Sequence, residues 1–269
     1  MASDQNTPKT GIKTLGFLML IVLVVWTLGG ILLYGRADRG TFGDMFGAVN
    51  ALFAGLAFAG IIYTIFLQRT ELELQRRELT ETRKELEGQK LQLERQAFEN
   101  AFFQMLTLHN EIVGSFSYSS VLGVRVFQGK ECFSGIKNDF LVAYLKNPTK
   151  GGPIEERYKT YYLTHAHEVL GHYFRNLYQI VKYINDSTVQ NKKFYTNIIR
   201  AQLSSAELFL LFFNSLSEFG YEKFHPLILK FELLEHLPQD GDIQSADATR
   251  FGSKAFGTSP QWATYLGAK

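Results

Sequence analysis

The stretch "GLAFAGIIYTIFLQRTELELQRREL" (residues 55–79) passes from wholly apolar to densely charged at Gln68–Arg69, with no proline anywhere in it and no glycine after Gly60. A chain that changes solvent this abruptly while keeping helix-forming residues on both sides reads as one helix leaving a membrane, because a span must satisfy its own backbone hydrogen bonds. Upstream the uncharged run extends back to Met45, which exceeds the ~20 residues needed to cross a ~30 Å hydrocarbon core.

A second uncharged run, "TLGFLMLIVLVVWTLGGILLYG" (14–35), precedes it, separated only by "RADRGTFGD" (36–44). A secretory signal peptide is the competing reading of the first run, but its apolar part exceeds the usual ~7–15 residues and another span follows at once. The spans 14–35 and 45–68 are therefore expected to form an antiparallel transmembrane hairpin. Lys9 and Lys13 precede it, Arg36 and Arg39 lie inside it, and Arg69, Arg76, Arg77, Arg83 and Lys84 follow it. This distribution places the bulk of the chain, and both termini, in the cytoplasm, with residues 1–13 as a short cytoplasmic tail.

Leading into and along the second span, Gly43, Gly47, Ala51, Gly55 and Ala59 recur at every fourth position. Lipid tails supply no hydrophobic force between helices, so spans associate by close backbone approach, and a row of small residues permits it. The row serves either packing against Trp26 and the leucines of the chain's own first span or packing between copies. Asn50 favours the second use, since an amide inside the hydrocarbon faces an interface or a lumen rather than lipid.

Beyond Gln68, Leu72, Leu79, Leu86 and Leu93 repeat at a spacing of seven. The pattern is that of a coiled coil, weakened because Gln75, Thr82, Gln89 and Gln96 occupy the second seam position. Opposite charges four apart, such as Arg69 with Glu73 and Arg83 with Glu87, add a few tenths of a kcal/mol each to the helix whether or not it has partners. No proline occurs between Pro8 and Pro148, and Gly88 is the one weak point of the heptads. A charged stalk over 69–97 follows, solvated or bundled with copies of itself.

Residues 98–237 read as a helical cytoplasmic domain. Phe98, Phe102, Met105, Leu106, His109, Ile112 and Val113 define one buried face, "NDFLVAYLKN" suggests a short helix, and "SYSSVLGVRVFQGKECFSG" (117–135) is the one candidate for a hairpin. After Pro153 a long amphipathic helix is predicted; Ser204 and Glu207 form a capping-box pattern before "SAELFLLFFNSLSEFG", Gly220 is a stop, and Pro226 and Pro238 bound a last helix. Residues 238–269 are polar and glycine-rich, with no clear pattern, and read as a mobile tail. The fold class is all-α with at most one short hairpin.

Chemistry is scarce. The single cysteine, Cys132, allows no internal disulfide, and a formal charge of +2 does not by itself call for nucleic acid. His165, Glu168, His172 and Arg175 fall at i, i+3, i+7 and i+10, on one face of the predicted long helix. That face is either a polar site or simply the wet side of the helix, continued by Gln179 and Lys182. "HEVLGH" (167–172) separates its histidines by five, whereas a zinc protease needs four so that both face one ion. No phosphate loop or nucleophile triad pattern appears, so no catalytic residue, metal or cofactor is assigned.

Four stretches carry a resemblance: "FENAFFQMLTLHNEIV" (98–113), "GKECF" (129–133), "GHYFRNLYQIVKYI" (171–184) and "RAQLSSAELFLLFFNSLS" (200–217). In that order, after a two-span hairpin and a charged helix, the chain resembles the phage abortive infection protein family, the AbiC-like group, over about residues 40–237. Lys130 stands where that pattern has Arg, and Phe213 where it has Tyr. The resemblance implies a bacterial inner-membrane protein of antiphage defence and implies no reaction. Relatives of the family are similar to the HEPN helical ribonucleases, marked by an Arg followed by four to six residues and then a His. None of His109, His165, His167, His172, His225 or His236 has such an Arg. The expectation is a homo-oligomeric membrane effector, with lipid, further copies, and a phage component or a neighbouring defence protein as partners. The alternatives are a tethered RNA-binding or RNA-cleaving domain and a non-toxic scaffold.

Overall fold

A computed structural model describes residues 17, 20–28, 31, 39–123, 125–147 and 151–267, in two compact units, Met1–Glu85 and Leu86–Lys269. In the first unit residues 20–28 are helical and exposed. The tail 1–13, residues 14–16, 18–19, 29–30 and 32–35 of the expected first span and residues 36–38 of the connection lie outside the described residues, while residues 39–44 of that connection are already helical.

Helix α1 runs from Arg39 to Gly114, 76 residues without interruption. Its continuity follows from the missing prolines and from leucine, alanine, glutamate, lysine and arginine along its polar half. Thr64 and Thr70 turn their hydroxyls onto the carbonyls of Gly60 (2.8 Å) and Phe66 (3.1 Å). Both hydroxyls thereby find a partner within their own helix. On the charged surface ion pairs form at Lys90–Glu94 (3.9 Å) and Arg95–Glu99 (2.9 Å); among the described residues none is seen for Arg69–Glu73 or Arg83–Glu87.

The second unit begins with the end of α1 and a small antiparallel hairpin, β1 (Ser117–Ser119) and β2 (Val126–Gln128), with Tyr118 opposite Phe127. Helices α2 (Glu131–Phe140), α3 (Ile154–Tyr161), α4 (His167–Asp186), α5 (Lys192–Gln202), α6 (Ser205–Leu216) and α7 (His225–Phe231) follow. Two π-helical turns, Leu141–Leu145 and Tyr162–Ala166, extend α2 and open α4.

Helix α6 is the centre: every residue from Glu207 to Leu216 is buried, which is why its sequence is apolar on all sides instead of striped. The capping box forms as read, with Ser204 Oγ accepting from Glu207 N (3.3 Å) and Glu207 accepting from Ser204 N (2.8 Å). Phe140 packs against Phe213 at 5.2 Å, and Phe212 stacks on Phe251 at 4.9 Å. The hairpin is clamped to α2 by Asp139, 1% exposed, which accepts from the Tyr118 hydroxyl, the Ser120 hydroxyl and Val121 N, each at 2.8 Å. Gly135 permits the approach: a Cβ there would lie 2.5 Å from the Phe127 ring. The Tyr161 hydroxyl, 2.9 Å from that of Tyr118, donates to the Ile136 carbonyl (3.0 Å), and burial raises the pKa of both hydroxyls, so both stay protonated as donors.

Residues 238–269 differ from the mobile tail expected. They carry α8 (Ser245–Phe251), a 3-10 turn (Ser253–Phe256) and α9 (Pro260–Tyr265), and they bury Phe251, Phe256 and Trp262. The Trp262 indole donates to the Leu237 carbonyl, and Lys137 pairs with Asp240 (3.0 Å) and Asp242 (3.2 Å). The helix begun at Pro226 ends at Phe231, because Glu232 adopts a left-handed conformation with φ 54°.

Candidate functional site

The end of α1 delivers its apolar stripe into the second unit: Phe98, Phe102, Leu106 and Val113 are buried, and Phe98 stacks on Tyr183 at 5.1 Å. His109, 5% exposed, sits on that stripe with Nδ1 2.9 Å from Asn176 Oδ1 and its ring 5.1 Å from Tyr173. The Tyr173 hydroxyl donates to Glu207 (3.0 Å), whose carboxylate also takes the Ser204 backbone N–H (2.8 Å) and hydroxyl (2.6 Å). Beside them a cavity of about 10 Å³ is lined by residues including His109, Lys130, Gln202 and Glu207.

Residues from all four resembling stretches thus meet at one buried joint. Burial lowers the His109 pKa, only partly offset by Asn176, and favours the neutral imidazole. The Glu207 carboxylate is engaged by three donors and anchors the start of α6. A cavity this small has room for about one water. The joint therefore holds α1 to α4 and α6; it does not admit a substrate. The periodicity places His109 on the buried face, but neither Asn176 nor the carboxylate of Glu207 has a local signal that would name it as part of the joint.

The polar face read from spacing is divided by the π turn Tyr162–Ala166, which changes the rotation between His165 and α4. His165 turns to the Tyr144 hydroxyl (3.2 Å) and the Tyr161 ring, while Glu168 is exposed. His172 and Arg175 stay neighbours, Nδ1 to Nη2 at 3.5 Å. It is His167, passed over by the spacing argument, that shares a cleft with Arg175.

In the first unit the small-residue row lies on α1 as an open surface. Ala51, Asn50 and Ala59 are exposed, and a Cβ on Gly43, Gly47 or Gly55 would meet nothing within 4 Å among the described residues. Leu72 and Leu79 in this unit are 53% and 60% exposed, and Leu86 and Leu93 in the second are likewise uncovered. Among the described residues one helix is long and apolar enough to cross a membrane, and none of its apolar window is buried.

These features define a predominantly helical protein with an unburied, membrane-length helix and a packed C-terminal helical unit. The family model described as "Putative phage abortive infection protein" matches residues 165–241, from the π turn before α4 to just beyond α7. This is the family that the four stretches resemble, and the matched interval contains the third and fourth of them. Its description connects this segment with phage defence. No curated protein and no solved structure matches the chain.

Proposed function

We propose that the protein is an inner-membrane effector of abortive infection: copies associate through their second spans and stalks, the cytoplasmic helical unit responds to a phage component or a neighbouring defence protein, and the membrane part then disturbs the permeability barrier. The observation that carries this reading is the bare apolar window of α1. The core helix of a soluble protein would have that window buried, and a signal sequence would sit at the N-terminus instead of following residue 49. Gly47, Ala51 and Gly55 would pack the spans, Asn50 would face the interface or lumen, and Leu72, Leu79, Leu86 and Leu93 would hold the stalks in register.

Membrane potential in expressing, phage-challenged cells tests it, with abundance in the membrane fraction as control. Gly47→Leu and Gly55→Leu insert large side chains where backbones should nearly touch, so depolarisation should fall although the segment still inserts. Asn50→Leu removes the one central amide and should reduce depolarisation more than protein level. If the parent protein leaves the potential intact while protecting the cells, a scaffold role replaces this one. If all three variants depolarise like the parent, the row is not an assembly surface.

A further inference from the structure

The cleft that holds His167 and Arg175 has about 420 Å³, lies wholly in the second unit, and is walled by the π turn Tyr162–Ala166, the first half of α4, the end of α6 and the turn 217–224. This is the size range of small-ligand pockets, typically about 300–1,000 Å³. Two cations line it, Arg175 and Lys223, and no carboxylate does. Among the described residues neither cation forms an ion pair, although Lys137, Lys159, Lys193 and Arg200 in the same unit all do.

Its apolar side is aromatic. Tyr162, buried, lies 4.6 Å from the Phe219 ring, which is 38% exposed, and Tyr178 meets Phe224 at 5.7 Å. Asn214, 3% exposed, also lines the cleft, and its Oδ1 accepts from Tyr158 (3.4 Å). Gly171 and Gly220 keep the walls close: a Cβ would stand 3.0 Å from the Tyr162 hydroxyl at the first and 2.8 Å from the Asn214 carbonyl at the second.

From the two unpaired cations and the aromatic wall we infer that this cleft binds a mononucleotide, its base against Tyr162 and Phe219 and its phosphate between Arg175 and Lys223. Stacking on aromatic rings accepts any base, and a guanidinium recognises phosphate oxygens in pairs. Two cations match one phosphate group and do not form the extended basic track that a polynucleotide strand requires. The inference concerns the second unit alone and stands whether or not the membrane reading does.

Equilibrium dialysis of the full-length protein in detergent against AMP, GMP, CMP and UMP provides the test. At least one should bind saturably, and Arg175→Gln and Lys223→Ala should each weaken it by about tenfold or more. Phe219→Ala should weaken the nucleotide and its nucleoside alike, and Lys182→Ala, on the same helix but outside the cleft, should change nothing. All four positions are exposed, so the variants should fold, with an unchanged melting transition as the check. Four results would overturn the inference: no saturable binding up to about 1 mM, binding indifferent to both cation variants, competition by inorganic phosphate as strong as by nucleotide, or binding of a single-stranded oligoribonucleotide without any mononucleotide.

Discussion

At the scale of single residues, His109 sets how the second unit responds to acid. Its pKa in the folded chain lies below the ordinary 6.5 because burial penalises the charged ring. In the unfolded chain the value returns to 6.5, so below that pH the unfolded state binds more protons and gains on the folded one. The stabilisation is complete above 6.5 and is lost as pH falls through the depressed folded value. Carboxylates such as Glu99 and Asp242, themselves held below their ordinary 4.5 and 3.8, lose their contributions only at lower pH. The melting temperature of the detergent-solubilised protein should therefore drop between about pH 7.5 and about pH 5.5, and His109→Gln should flatten that slope. An unchanged slope in the variant would remove His109 from this role. The sequence shows His109 on a buried stripe because helical spacing is local; it does not show Asn176, 67 residues away, because that contact exists only after α1 and α4 pack.

At the scale of elements, what was legible is what has a period or a cap. The uninterrupted α1, the capping box of α6 and the buried side of α4 follow from spacing, and the hairpin falls in the stretch that alone has strand character. Two kinds of element escape this reasoning. The π turns hold five residues each, so a 3.6-residue period carried across Tyr162–Ala166 groups His165 with His172 and misses His167. The C-terminal elements α8, the 3-10 turn and α9 hold seven, four and six residues, too few for a pattern to emerge from glycine and polar neighbours. They are ordered by tertiary burial, above all of Trp262, which stacks on Phe256 at 4.2 Å. Trp262→Ala should cost about 3–5 kcal/mol and lower the melting temperature of the second unit by roughly 10 °C. A melting temperature unchanged within a degree or two would return residues 238–269 to the status of a tail.

At the scale of the whole molecule, α1 belongs to both units, and its heptad leucines and small-residue row are left uncovered by the described chain. Composition announces this: an apolar run that becomes a leucine heptad leaves surfaces that no globular core absorbs. On the proposed function further copies would cover them, and a single chain's sequence carries that only as the spacing of four in the span and seven in the stalk. In the proposed assembly, incomplete seams, with Gln75 and Gln89 where apolar residues would strengthen them, would make the stalk a register device dependent on the spans. Deleting residues 70–96 should therefore shift the detergent-extracted protein to smaller species. The mass of the full-length, detergent-solubilised particle tests the central claim most directly, because a structure that breaches the membrane between chains needs several of them. The account predicts a homo-oligomer of several copies that shrinks when the stalk is removed; a monodisperse monomer of the intact protein would contradict it.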